Sequence, residues 1–197
     1  MKTLLALLFT SLIFTGCEKI EGQLNVTTDL KLRNSKKVVK TLTVGTYTAD
    51  IKANTKKKIT LRLNNDANEK FEFNVPDKSI PQNGPFRVLS DVVGQPVDLN
   101  GNVTTVVTNS ERRQVFESCQ YQEAVQVCAP TGPNGGVVCS IQYQTRFGSR
   151  WISYYDRRTD KDLTLSISAV GSSVESAQFQ GDIAWIDRIV LSETQCR

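Results

Sequence analysis

Cysteine, carboxylate and lysine are the side chains with most chemistry to offer in this 197-residue chain, because histidine is absent altogether. Imidazole is the commonest general base and the commonest metal ligand, so Ser-His-Asp, Cys-His and His-zinc sites are excluded. Asp156, Asp160 and Asp162 lie close together in Asp156-Arg157-Arg158-Thr159-Asp160-Lys161-Asp162 and offer oxygen ligands of the kind calcium takes. Their spacing matches no EF-hand loop and three cations interrupt the negative field, so a solvated turn is expected there instead. A carboxylate pair for glycoside hydrolysis forms only in three dimensions, and nothing in the residue order brings two together. No metal or cofactor is expected, and the leading expectation is a protein that is not an enzyme. The competing class is a carboxylate-based, glycan-active enzyme.

Two further clusters suggest binding. Residues 29–62 hold ten Lys or Arg against Asp29 and Asp50, a balance of +8, whereas residues 63–197 balance at −4. Lys36, Lys37, Lys40, Lys56, Lys57 and Lys58 are the candidate anion-binding residues of that basic half, suited to phosphates, head groups or an acidic polysaccharide. Lysines of this kind also keep sheet edges from pairing. No aromatic residues interleave them, which argues against nucleic acid. The aromatic side chains Trp151, Tyr154, Tyr155 and Trp185 concentrate instead in the C-terminal half, where stacking on sugar rings is the candidate chemistry. Strand alternation puts Trp151 and Tyr155 on one face and Tyr154 on the other, so part of this cluster is expected in the core.

The address comes from the first residues. Lys2 precedes an uncharged apolar run over residues 3–15, and Phe14-Thr15-Gly16-Cys17 closes it. Thirteen residues fall short of the roughly 20 that a helix needs to cross a bilayer, so the segment reads as a secretory signal. Its exit ends on cysteine and resembles the lipobox of bacterial lipoproteins, with Phe14 where that pattern has Leu. The resemblance covers residues 1–17 alone. It implies cleavage before Cys17, acylation of that residue, and stable attachment to a membrane through two or three chains. Glu18, in place of the Asp of inner-membrane retention signals, points to the outer membrane. The partners then expected are the membrane, through the anchor, and an anionic envelope component or another envelope protein.

All these residues must be positioned by strands. Leu24, Val26, Thr28, Leu30 and Leu32 alternate with polar neighbours, and the same period returns at Val38, Leu42 and Val44, at Tyr47 to Ala53, at Ile59 to Leu63, and at Phe71 to Val75. Period two is the mark of a sheet with one buried face, so a five-stranded antiparallel meander is expected. Residues 76–85 hold three prolines and a glycine and read as a linker, or as a crossover within a single sandwich. Asn100-Gly101 reads as a turn ahead of a strand at residues 103–108. Further strands are expected over 113–128, 137–147, 151–155, 163–169, 177–180 and 183–191, with no convincing helix. The fold class is therefore all-β, an antiparallel β-sandwich or two packed β modules. The organisation is a signal over 1–16, a tether over 17–23, an N-terminal module over 24–76, a linker over 77–85 and a C-terminal module over 86–197.

Beyond Cys17, four cysteines remain, an even number that in an exported chain reads as two disulfides. Cys119 and Cys128 lie nine residues apart in one extended run, about 30 Å, far beyond disulfide reach. If the loop at 129–136 closes a hairpin, Cys139 sits near its mouth, which leaves Cys128 with Cys139 and Cys119 with Cys196. Val125 and Val127 share a face with Cys119 while Cys128 points the other way. A bulge near the loop is therefore expected, to let Ile141 and Tyr143 face inward.

Overall fold

The computed structural model describes residues 19–54, 57–76, 80–131 and 135–197. Eleven strands and one helical turn follow one another as β1 (Lys19–Val26), β2 (Leu30–Arg33), β3 (Val39–Leu42), β4 (Gly45–Asn54), β5 (Lys58–Leu63), β6 (Lys70–Asn74), β7 (Gly84–Val88), α1 (Ser90–Val93), β8 (Val97–Asn109), β9 (Arg113–Pro130), β10 (Val137–Ala169) and β11 (Glu175–Glu193). The fold is all-β. One sheet runs in the order β6-β5-β4-β1-β11-β10-β8-β7, with β9 added on β10, and β2 and β3 form a separate pair. The chain resolves into two compact units, one of residues up to 106 with 160–184, the other of residues 107–159 with 185–197. Compactness does not follow chain order: β7 and residues 160–184 group with the N-terminal strands.

In the first unit the alternation works as the sequence predicts. Leu24, Ile51, Ile59, Leu61, Phe71 and Phe73 turn inward, meet Leu99, Leu165, Ile167 and Phe179, and are all fully buried in one cluster. Each of these larger side chains contributes about 1.5–3 kcal/mol by leaving water. The β2–β3 pair adds Leu30, Leu32 and Leu42 to this core. Gln95 fastens the arrangement. Its side chain is buried; Oε1 accepts from the Arg33 amide at 2.9 Å, and Nε2 donates to the carbonyls of Arg33 (2.7 Å) and Glu72 (3.3 Å). An amide side chain thus stands in for a strand between β2 and β6.

The expected five-stranded meander is corrected in one respect. The run at residues 24–32 is two strands, because the chain leaves β1 at Thr27, where the backbone amides of Thr27 and Thr28 and the Thr27 hydroxyl all bond to Ser176. β1 then pairs directly with β4, and β2–β3 forms an excursion between them. The hairpins β4–β5 and β5–β6 follow the sequence, the second turning through Asn64 and Asn65, both left-handed. Asn100-Gly101 makes no turn: β8 runs through it, and Gly101 pairs with Phe86. A Cβ at Gly101 would lie 2.3 Å from the Phe86 ring, so the glycine is there to let an aromatic ring cover the strand.

The second unit is built on a long ribbon. β9 and the first part of β10 pair without interruption over eighteen residue pairs, from Pro130 with Val137 to Arg113 with Tyr154. Segments that the sequence separates at Gly148 and at Asp156 to Asp162 are one continuous strand.

Candidate functional site

Strict pairing sorts the ribbon's side chains onto two faces, since even-numbered residues of β9 lie opposite odd-numbered residues of β10. On the first face the cross-strand rows read Phe116 with Trp151, Ser118 with Ser149, Gln120 with Phe147, Gln122 with Thr145, Ala124 with Tyr143, Gln126 with Ile141, and Cys128 with Cys139. No charged residue occurs among them. The apolar members are open to solvent: Phe147 is 78% exposed, Tyr143 72%, Ile141 68%, Phe116 58% and Trp151 53%. Phe116 and Trp151 tilt against each other with ring centroids 5.0 Å apart, and the Gln122 amide donates to the Thr145 hydroxyl at 2.9 Å.

Every charge of the paired segment lies on the opposite face, at Arg113, Glu117, Glu123, Arg146 and Arg150. These charges are matched. Arg146 meets Glu123 at 2.8 Å, Arg150 meets Glu193 at 2.8 Å, Arg188 meets Glu117 at 3.1 Å, and Arg113 meets Asp156 at 3.5 Å. Arg188 also stands 4.1 Å over the ring of Tyr154, which is buried. One face is thus occupied by its own ion pairs, and the other holds solvent-exposed aromatic rings and uncharged hydrogen-bonding groups.

Both disulfides brace this ribbon. Cys128 and Cys139 are direct cross-strand partners with α-carbons 4.0 Å apart, and Cys119 joins Cys196 across 6.0 Å. The pairing is the one the sequence predicts, but the expected bulge is absent. The register stays unbroken because Ile141 and Tyr143 share the face of Cys139 and point outward to solvent. Beside Cys119 sits Gly148, and a Cβ there would lie 2.5 Å from the Arg197 carbonyl oxygen. Only a residue without a side chain lets the C-terminal tail come this close.

The other sequence-derived candidates fare differently. Cys17 and Lys56 lie outside the described residues. Lys58 forms an ion pair with Glu72 at 3.0 Å, and Lys36 donates to the Asn68 side chain at 2.8 Å. Lys37 sits in the tight turn between β2 and β3 with a positive φ of 63°, Lys40 lies on β3 opposite Leu32, and Lys57 also has a partner. Arg62 is held at 2.8 Å by Asp50, a buried carboxylate that Lys19 approaches at 3.9 Å. Among the described residues of the basic half, Lys36, Lys58 and Arg62 thus already meet acceptors of their own. Hydrogen bonds from Lys70 and Lys58 hold the Glu72 carboxyl below the usual carboxylate range, and a hydrogen bond from Lys19 does the same for Glu21. A general acid needs the opposite displacement.

Asp156, Asp160 and Asp162 are not in a turn but on β10, where four- and two-residue steps hold their α-carbons about 13 and 7 Å apart. No group of three metal-ligating side chains occurs among the described residues. Trp151 and Tyr154 point to opposite faces, as alternation predicts, with Trp151 open and Tyr154 buried. Sequence reasoning missed Phe116, Tyr143 and Phe147 as residues sharing the face of Trp151; the signal that would find them is the parity of the charges, odd-numbered on β9 and even-numbered on its β10 partners. No protein-family model matches the sequence, and neither a curated protein nor a solved structure matches it.

Proposed function

We propose that this chain is a non-enzymatic binding protein of the bacterial envelope, tethered to the outer membrane by lipid on Cys17, with the uncharged face of the β9–β10 ribbon as its ligand surface. The observation that carries the reading is the open row of Phe116, Trp151, Phe147, Tyr143 and Ile141 on a strand pair cross-linked by one disulfide and tied by a second to the segment that follows β11. Exposed apolar patches rimmed by polar groups mark interaction sites, because a surface with no partner gains nothing by keeping five large side chains in water. Two disulfides suit an oxidising compartment, which fits the export signal. Retention of the basic half near the anchor would add attraction to anionic head groups, a lesser contribution given the acceptors already paired there.

The anchor is tested by the mass of the intact mature protein. It should begin at Cys17 and carry added acyl mass, and Cys17→Ser should remove the protein from the membrane fraction. Material beginning at another residue, without alkyl mass, would overturn the assigned address.

A further inference from the structure

We infer that the uncharged face of the β9–β10 ribbon binds a neutral polysaccharide. The inference rests on the reading of that face as a ligand surface and names its ligand class. Three features of the face select the partner. The first is the segregation of charge within the paired strands: with every ionised side chain of β9 and its β10 partners on the other side, the rows themselves hold no counter-charge for an anionic or cationic ligand and impose no desolvation of ions on a neutral one. At the base of the face Arg197 pairs with Ser149 through its backbone and turns its guanidinium onto the Gln195 side chain at 3.2 Å, and further along β10 Arg157 pairs with Asp187 at 3.5 Å.

The second feature is the composition between the rings. Gln120, Gln122, Gln126, Ser118, Thr145 and Ser149 provide amide and hydroxyl groups that both donate and accept. A dry partner, whether a lipid surface or an apolar protein face, would strip water from these groups and leave them unmatched, at a cost that offsets the gain from the aromatics. A chain of hydroxylated sugar rings presents apolar C–H faces to the aromatics and hydroxyls to the amides, so both kinds of row are satisfied at once.

The third is extent. Trp151, Phe147 and Tyr143 recur every four residues along β10, about 13 Å apart and about 26 Å from first to last. The surface is long, narrow and open at its sides. That form suits an extended polymer passing along it, and each ring engaged after the first adds to affinity without a new association step.

The test is affinity electrophoresis of the detergent-solubilised full chain through gels containing dextran, laminarin, glucomannan, xyloglucan or galactomannan, with alginate and heparin as anionic counterparts. Retardation by at least one neutral polymer is expected, with oligosaccharides of the same polymer binding more weakly than the long chain. Trp151→Ala and Phe147→Ala should each weaken it about tenfold or more, and Glu123→Gln on the opposite face should leave it unchanged. Because Phe116 contacts Trp151, circular dichroism and an intact two-disulfide mass check that each variant is folded, and exposed Tyr143→Ala serves as a second probe. Failure of all five neutral polymers, retardation by the anionic polymers alone, or indifference to all three aromatic substitutions would each overturn the inference. Sedimentation of the same variants separates the two levels. Self-association lost on Trp151→Ala, without glycan binding, would make the face a contact between copies: the ligand class would fall while the ligand surface stood.

Discussion

At the scale of single residues, the fold depends on positions that satisfy backbone groups or make room for them. Gln95 is the clearest case, since three hydrogen bonds converge on one buried amide. Gln95→Ala leaves the Arg33 amide and two carbonyls facing a small void, and a loss of about 2–4 kcal/mol is expected from unmet buried polar groups, measured as a lower urea midpoint with little change in slope. Gly148→Ala should act on the covalent framework instead. A methyl group there collides with the Arg197 carbonyl and pushes Cys196 away from Cys119. Thiol titration should find two free sulfhydryls in a fraction of that variant and none in the parent. Neither role was legible in the sequence. Asn100-Gly101 reads as a turn because local chemistry favours one, and only the cross-strand position of Phe86 reveals why the glycine lies within a strand. Where a residue's purpose is set by a neighbour far along the chain, local rules assign it the wrong one.

At the scale of elements, alternation was the legible signal. It gave β4, β5 and β6 nearly to their ends and assigned Trp151 and Tyr154 to opposite faces, since period two is a property of the strand itself. The disulfide pairing was legible for the same reason, as extended geometry eliminates the alternatives. What alternation does not give is which side is buried. The sequence reading turned Ile141 and Tyr143 inward because they are apolar, and needed a bulge to do so. In the structure both faces of that ribbon meet solvent, so hydrophobicity was misread as burial. The Cys128–Cys139 bridge closes a short loop and contributes about 3 kcal/mol in the chain-entropy model. Its replacement by paired serines should be read out locally: amide exchange should accelerate around residues 120–130 and 137–147, while the core strands β4 and β5 keep their protection.

At the scale of the whole chain, the uneven charge read from the sequence resolves into lattices of alternating sign. Lys70 and Lys58 share Glu72, Lys19 lies between Glu21 and Asp50, and Arg62 closes on Asp50. Glu72 titrates lower folded than unfolded, so its contribution is present above the unfolded carboxylate range near 4.5 and is lost as pH falls through the lower, folded value. Thermal melts between pH 6 and pH 3 should therefore show a smaller loss of Tm for Glu72→Gln than for the parent, and equal slopes would remove Glu72 from the acid response. A last consequence concerns how the protein must be made. Among the described residues β9 has β10 as its one partner strand, and its outer rim of amides and carbonyls is unoccupied along eighteen residues. Such a rim beside an apolar face invites further copies to stack on it. Synthesis in a reducing cytosol, with neither cystine formed, should yield fibrous or insoluble material, whereas oxidative export should yield dispersed protein: the thiol redox state during biogenesis then decides between a usable molecule and a polymer.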